Sequence, residues 1–177
     1  MQRTYLKFKK VFPFWKNVYK ARVNKIAQVL KNAGLSNQKA KNLKLVLRKI
    51  KDDWDTLSLS KLKDFNDKEL ENYLLTLPGI GLKSARCIMM YSFGRKAFPV
   101  DSHCFRIIKR LGWIISKSKY TEKVQDSVQK MIPKELRYRL HVNLIQHGRK
   151  VCLPYIPHCK ECCINVNCNQ RLTHLIA

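Results

Sequence analysis

The chain has 177 residues, of which 45% are apolar, so it is long and apolar enough for a folded protein with a substantial core. No apolar run approaches the roughly 20 residues of a membrane-spanning helix, and the first ten residues, MQRTYLKFKK, lack the apolar stretch of a signal peptide. Lys and Arg number 36 against 12 acidic residues, a net charge of +24, and no Asp or Glu precedes Asp52. This balance favours a polyanionic partner over other classes, without choosing between DNA, RNA and the ribosome, although a lysine-rich genome would produce the same composition.

From these properties we expect an intracellular monomer with no membrane partner. In a prokaryote it would be cytoplasmic and associated with the nucleoid, and in a eukaryote nuclear or mitochondrial. Thiols stay reduced inside cells, so the seven cysteines are read as core residues or ligands before they are read as disulfides.

Apolar residues recur at helical spacing along the chain, and no stretch alternates as a strand would. The pattern predicts an all-α fold of about eight helices with short connections. Asn66 followed by Glu69 is typical of a capped helix start. Helix ends are predicted at Gly34, at Gly112 and, for the last long helix, at Gly148.

The stretch LPGIGLKSA, residues 77–85, interrupts two of these helices with a Pro-Gly-x-Gly turn. Glycines permit positive φ and let a phosphate approach the backbone, and the amides at the start of the next helix form an anion site. The turn therefore predicts a helix-hairpin-helix that grips the DNA backbone without reading sequence. On this evidence Lys83 is either one more phosphate contact or a reactive amine.

Asp101 stands at the start of a helix in FPVDSHCFRIIKRLGW, residues 98–113. Aspartate is a good N-cap, and that is its simplest role. A tight return between the helix of Lys83 and the helix of Asp101 would, however, bring both side chains to one cleft.

Five of the seven cysteines crowd near the end of the chain. Four of them have the 6-2-5 spacing of Cys152, Cys159, Cys162 and Cys168. Four thiolates hold either a 4Fe–4S cluster or a zinc ion, and the compact spacing, with a single tight pair, favours the cluster. Cys163 is expected to be a bystander, and Cys87 and Cys104 to be core residues.

Together, the hairpin, Lys83, the VDSH aspartate and the cysteine loop resemble the endonuclease III branch of the helix-hairpin-helix (HhH-GPD) DNA glycosylases. The segments GLSNQKAKNL and LIQHGRKVC are similar to that family as well. The run from YLLTLPGIGLKSA to AFPVDSHCFRIIKRLGW is especially similar to DEMETER-type members, which excise 5-methylcytosine. The resemblance extends from about Phe12 to Cys168.

The resemblance implies two helical lobes with DNA bound in the cleft between them. The first, residues 1–97, would be the helical barrel lobe with the hairpin, and the second, residues 98–177, the iron–sulfur cluster lobe. Lys83 matches the family's catalytic lysine, which forms a Schiff base with the sugar. Asp101 matches its aspartate, which assists the lysine and stabilises positive charge on the sugar. This pair implies a bifunctional glycosylase and AP lyase that removes damaged pyrimidines, and we expect oxidised ones, from duplex DNA during base excision repair.

DNA contacts are expected from eight residues: Gly79, Ile80, Gly81, Leu82, Ser84, Gln2, His103 and Arg149. Gln2 would be the glutamine that fills the gap left by the flipped base. The family usually has several tens of residues before this chain's first, so a truncation, a misassigned start or a reduced enzyme is expected. Two other functions remain open: a monofunctional mismatch or 5-methylcytosine glycosylase, and a DNA-binding module without catalysis.

Overall fold

The computed structural model describes residues 2–115 and 117–169, and the side chains of Gln2 and Ala33 lie outside what it describes. All regular secondary structure in these ranges is helical, which confirms the predicted all-α class. The α-helices are α1 (Gln2–Val11), α2 (Trp15–Lys20), α3 (Val23–Val29), α4 (Ser36–Trp54), α5 (Asp67–Thr76), α6 (Leu82–Ser92), α7 (Ser102–Leu111), α8 (Glu122–Met131) and α9 (Arg137–Lys150). Within the described ranges, none of them combines the length and apolarity needed to cross a bilayer.

Local signals set several helix ends where the sequence predicts them. Asn66 caps α5 by accepting hydrogen bonds from the amides of Lys68 and Glu69, both at 3.0 Å. The Glu69 carboxylate accepts in return from the Asn66 amide at 2.9 Å, which completes a capping box. Helix α7 stops at Gly112, whose φ of +79° suits glycine.

The predicted helix end at Gly148 is wrong, because α9 continues through this residue to Lys150. Gly148 is buried against α7, and a Cβ there would lie 2.8 Å from Nδ1 of His103. The glycine therefore serves close packing between two helices and not chain reversal. Sequence alone does not separate these two uses of glycine.

Two compact units make up the chain, residues 1–80 and residues 81–177. The core of the first unit consists of side chains from α1 to α4. The sequence pattern did not predict α1 and α2, which are separated near Pro13. The buried members of this core are Phe8, Phe12, Val18, Ile26, Ala27, Ala40 and Leu47.

The second unit has its own core, built by the segment before α7 and by α7, α8 and α9. Its buried members are Phe98, Val100, Cys104, Ile107, Ile108, Val128, Ile132 and Leu144.

Helix α6 belongs to the second unit, which begins at residue 81. The reason lies in its side chains. Arg86 is 2% exposed and forms an ion pair with Asp126 of α8. The ring of Tyr91 lies 5.9 Å from that of His141 on α9.

Candidate functional site

The Pro-Gly-Ile-Gly segment forms a tight turn directly before α6. The Ile80 amide donates to the Leu77 carbonyl at 3.1 Å, and Gly79 at the third position of this turn has φ of +79°. Proline second and glycine third is the arrangement of a type II turn. Beside it, the Asn42 side chain of α4 lies so close that a Cβ on Gly79 would be 2.1 Å from its Nδ2.

The turn leads into a helix start whose amides lack a protein cap. Gly81 is the N-cap of α6, and no side chain caps the helix there. The first intrahelical bond runs from the Ala85 amide to the Gly81 carbonyl at 2.9 Å, which leaves the earlier amides without an intrahelical acceptor. Unpaired amides at a helix N-terminus bind anions such as phosphate.

The predicted DNA contacts in this motif differ in exposure. Gly79 and Gly81 are exposed, whereas Ile80 and Ser84 are half-buried. The Leu82 side chain is only 7% exposed, so a DNA contact at this residue would be made by its backbone amide. The reason is that Leu82 opens the apolar face of α6.

Lys83 and Asp101 approach a common neighbour, Cys87. Lys83 is exposed in the first turn of α6, and its side chain hydrogen-bonds to the Cys87 thiol one turn later. The pKa of Cys87 is raised, first by burial and then by the Asp101 charge, while the Lys83 charge and hydrogen bond oppose the rise. Both charges thus act on one half-buried thiol, and the structure brings the two predicted catalytic residues to one locality. Cys87 is a neighbour of this pair and not simply the core residue that the sequence predicted.

Asp101 is fixed as the N-cap of α7, as the sequence predicts. One carboxylate oxygen, Oδ1, accepts from the Cys104 amide at 2.8 Å. Cys104 itself is fully buried, and burial together with the Asp101 charge strongly raises its pKa. The cap holds the carboxylate at the start of its helix while the thiol below it stays protonated.

A buried histidine that the sequence did not single out lies beside this pair. His141 of α9 is 1% exposed, and its Nδ1 lies 3.6 Å from Sγ of Cys104. Burial is the main cause of its lowered pKa, and Lys83 adds to the effect while Asp101 and a hydrogen bond to the Pro99 carbonyl oppose it. The ring is therefore a neutral hydrogen-bonding group at neutral pH. In the sequence, its position on an apolar helix face indicates only that it is a core residue.

The remaining predicted DNA contacts belong to other elements, α1, α7 and α9. Arg149 is exposed on α9. His103 is half-buried, packs on Gly148 and has its Nδ1 3.2 Å from Nη2 of Arg106. It is therefore engaged within the second unit. Gln2 begins α1, but its side chain lies outside the described part of the chain.

The four predicted cluster ligands lie around one cavity that is partly open to solvent. Cys152, Cys159, Cys162 and Cys168 all line it, and Ile107, Leu111 and Val151 contribute apolar walls. Cys163, the expected bystander, is exposed and does not line the cavity.

Arg110 of α7 ties the two ends of the cysteine loop together. Its Nη1 lies 3.1 Å from Sγ of Cys152 and donates to the Leu153 carbonyl at 2.7 Å. The Cys168 thiol in turn contacts the Arg110 carbonyl oxygen at 3.4 Å. On the far wall, Nε2 of His147 lies 3.6 Å from Sγ of Cys162. Such cationic and N–H donors stabilise thiolate ligands.

Within residues 2–115 and 117–169, no three His, Cys, Asp or Glu side chains are gathered tightly enough to hold a single metal ion. A zinc site needs four donors at about 2.3 Å from one point. A 4Fe–4S cluster instead takes one thiolate at each iron, so its four ligands stand around a volume. Thiols that line a cavity fit the cluster better than the ion.

An exposed leucine in the first unit is a further candidate that the sequence analysis missed. Leu35 precedes α4 with φ of +49° and is 80% exposed. The left-handed conformation costs a branched residue about 1–2 kcal/mol, and such strain concentrates at functional sites. An apolar side chain held open to solvent in this way can wedge between DNA bases. The segment GLSN, with glycine before leucine, was the available signal.

Known proteins similar to this chain include endonuclease III from two organisms. The chain is 32% identical over 155 residues to endonuclease III of Sulfolobus acidocaldarius, which covers 88% of this chain and 66% of that protein. It is 28% identical over 163 residues to endonuclease III of Thermotoga maritima, covering 90% and 71%. A solved structure of endonuclease III trapped as a covalent intermediate with DNA superposes with a TM-score of 0.82 at 25% identity, over 98% of this chain and 76% of that one.

Other relatives are longer. The chain spans 12% of DEMETER-like protein 2 of Arabidopsis thaliana, to which it is 30% identical, and 51% of an Arabidopsis thaliana protein whose name describes it as a candidate DNA glycosylase. Residues 1–134, which include the turn, Lys83 and Asp101, match the sequence profile of the HhH-GPD superfamily of base excision DNA repair proteins. On the strength of this match and of the shared helical fold, the chain is a member of the HhH-GPD superfamily, with endonuclease III among its relatives.

Proposed function

We propose that the protein is a bifunctional DNA glycosylase and AP lyase that removes oxidised pyrimidines from duplex DNA. The observation that carries the proposal is the convergence of Lys83 and Asp101. Their charges act in opposite directions on the Cys87 thiol, and both act on His141. An exposed amine and a capped carboxylate are the two groups that Schiff-base glycosylase chemistry needs.

In this mechanism the turn and the open amides of α6 hold a backbone phosphate. The damaged nucleotide is flipped out of the stack, which exposes its sugar. The neutral Lys83 amine bonds to C1′ as the glycosidic bond breaks, and the base departs with the bonding electron pair and takes up a proton. The Asp101 carboxylate stabilises the positive charge that develops on the sugar.

The amine nitrogen then passes one proton to the ring oxygen as the C1′–O4′ bond breaks and the sugar ring opens, giving a protonated imine with C1′. Loss of a C2′ proton expels the 3′ phosphate and breaks the strand. Water finally hydrolyses the imine and restores Lys83.

We propose that Cys152, Cys159, Cys162 and Cys168 hold a 4Fe–4S cluster. The cavity that they line and the Arg110 guanidinium beside Cys152 support this assignment. The cluster would cross-link four points of the loop that follows α9, beside the end of α7, which also lines the cavity. Its expected contribution is to folding and DNA contact, and none of the steps above depends on it.

The test is sodium borohydride trapping on a duplex with an abasic site, together with a panel of lesion duplexes. The panel contains thymine glycol, uracil, 5-methylcytosine, and adenine opposite 8-oxoguanine. We expect excision of thymine glycol and a covalent adduct on the abasic duplex. Lys83→Gln should abolish the adduct and strand cleavage, with affinity for duplex DNA unchanged within about twofold because one charge among 36 is lost.

Lys123→Gln is the matched control, since Lys123 is also exposed and is also the second residue of its helix, α8. It should trap as the wild type does. An adduct that persists in Lys83→Gln would assign the nucleophile to another amine. A wild type that neither excises nor traps would instead leave a DNA-binding protein without catalysis.

A further inference from the structure

The segment that presents Asp101 is buried, and it belongs to no sheet. Phe98 and Val100 are fully buried, and Ala97 is 5% exposed. Buried backbone N–H and C=O groups must find hydrogen-bond partners, and a strand would find them in its neighbour. This segment finds them in side chains of other elements.

Each of four residues from 96 to 100 offers one backbone group to such a side chain. The partners are Arg137 Nη1 for the Lys96 carbonyl at 2.6 Å, Gln129 Oε1 for the Phe98 amide at 2.7 Å, His141 for the Pro99 carbonyl, and the Tyr120 hydroxyl for the Val100 carbonyl. They come from α8, α9 and the loop before α8. Side chains of other elements therefore fix the path of the backbone that leads to Asp101.

The Tyr120 contact adjoins the aspartate directly. The Val100 carbonyl lies in the peptide plane that joins Val100 to Asp101, and this plane is rigid. Holding the Val100 carbonyl therefore fixes the orientation of the peptide bond that leads into Asp101. On the other side Asp101 is held by its bond to the Cys104 amide. The carboxylate is clamped between these two bonds.

We propose that Tyr120 is a positioning residue for Asp101, and that its hydroxyl holds the Val100–Asp101 peptide in the orientation that base excision requires. This inference rests on the proposed role of Asp101. Catalytic groups act only when held within about 0.5 Å of their productive geometry, and a displacement of about 1 Å can cost a factor of a hundred.

Tyr120 allows its hydroxyl to be tested without its ring. The ring packs edge-on against Phe105 with centroids 5.2 Å apart, and Phe at position 120 would keep that contact. The side chain is 47% exposed, so little core packing depends on it. Tyr120→Phe thus removes one hydrogen bond and little else.

The experiment compares two reactions of the full-length protein. Single-turnover base excision from a thymine glycol duplex requires Asp101 to act on a glycosidic bond. Borohydride trapping on a pre-formed abasic duplex has no such bond to break. We expect Tyr120→Phe to slow excision about tenfold, the equivalent of one lost hydrogen bond, and to change trapping by less than about twofold.

Two controls distinguish positioning from general damage. Tyr138→Phe removes the hydroxyl of a tyrosine that is 54% exposed and should leave both reactions unchanged. In an Asp101→Asn background, Tyr120→Phe should slow excision no further, because the group through which it acts is already lost.

Equal loss in the two reactions, or a full additional tenfold loss in the Asp101→Asn background, would overturn the inference. An active wild type with an unaffected Tyr120→Phe variant would overturn it alone and leave the proposed function intact. A wild type inactive in both reactions would overturn the proposed function and this inference with it.

Discussion

The two glycines of the turn before α6 should respond differently to alanine. Gly79 has φ of +79°, and an L-residue there pays about 1–2 kcal/mol for the left-handed conformation. Its Cβ would also lie 2.1 Å from Nδ2 of Asn42, so the Asn42 side chain must rotate away. That rotation breaks the 2.8 Å bond that Asn42 Oδ1 accepts from Gln38, worth about 0.5 kcal/mol at an exposed site.

Gly79→Ala should therefore lose about 2 kcal/mol of stability, which lowers the melting temperature by roughly 4–8 °C in a chain of this size. Gly81 has φ of −94°, and a Cβ there meets nothing within 4 Å. Gly81→Ala should consequently melt within about 1 °C of the wild type. Its methyl group would nevertheless stand in the space through which a phosphate approaches the amides of α6, so duplex affinity should fall.

The assays are thermal denaturation followed by circular dichroism and duplex binding followed by fluorescence anisotropy. Asn42→Ala in the Gly79→Ala background should recover the part of the loss that comes from the close contact and leave the backbone strain. The reasoning is refuted if Gly79→Ala and Gly81→Ala destabilise the protein equally, or if Gly81→Ala binds duplex DNA as tightly as the wild type.

Three further outcomes are expected. Purified protein should contain about four irons per chain; Cys152→Ser and Cys168→Ser should lose this iron and the associated brown colour, whereas Cys163→Ser, exposed and outside the cavity, should keep both. Affinity for undamaged duplex should fall about a thousandfold between ~50 and ~200 mM salt, as for about six neutralised phosphates, and a flat salt titration would contradict the role given to the +24 charge. Because burial lowers the folded-state pKa of His141 below its ordinary 6.5, the unfolded chain binds the proton more readily than the folded chain. The stability of the protein should therefore fall as the pH drops below 6.5. His141→Gln should show a shallower fall in melting temperature over that range.

The features that the sequence predicts well depend on residues that are close together in the chain. The α5 capping box needs only Asn66 and Glu69, and the Asp101 cap needs only the amide three residues on. Both depend on backbone geometry that a few positions specify by themselves. The family motifs around Lys83 belong to the same class, since they are contiguous runs.

What sequence did not predict depends on contacts between distant residues. The sequence predicts a helix end at Gly148, and only its close contact with His103, 45 positions earlier, shows that this glycine serves helix packing. Tyr120 reads as a loop aromatic, and its bond to Val100 spans 20 positions. Leu82 directly follows the exposed Gly81, yet the fold turns its side chain inward. No local pattern encodes such partners, because tertiary packing selects them.

The exposed Cys163 has a practical consequence for labelling. Thiol-reactive dyes attack the thiolate, so a buried thiol with a raised pKa reacts slowly. Cys87 and Cys104 both have raised pKa values, and Cys104 is fully buried. With the four cavity thiols committed to ligation as proposed, a maleimide fluorophore at neutral pH should attach at Cys163 in preference to the others. The wild-type chain thus offers a natural attachment point, at the cysteine-rich loop, for following its encounter with DNA one molecule at a time.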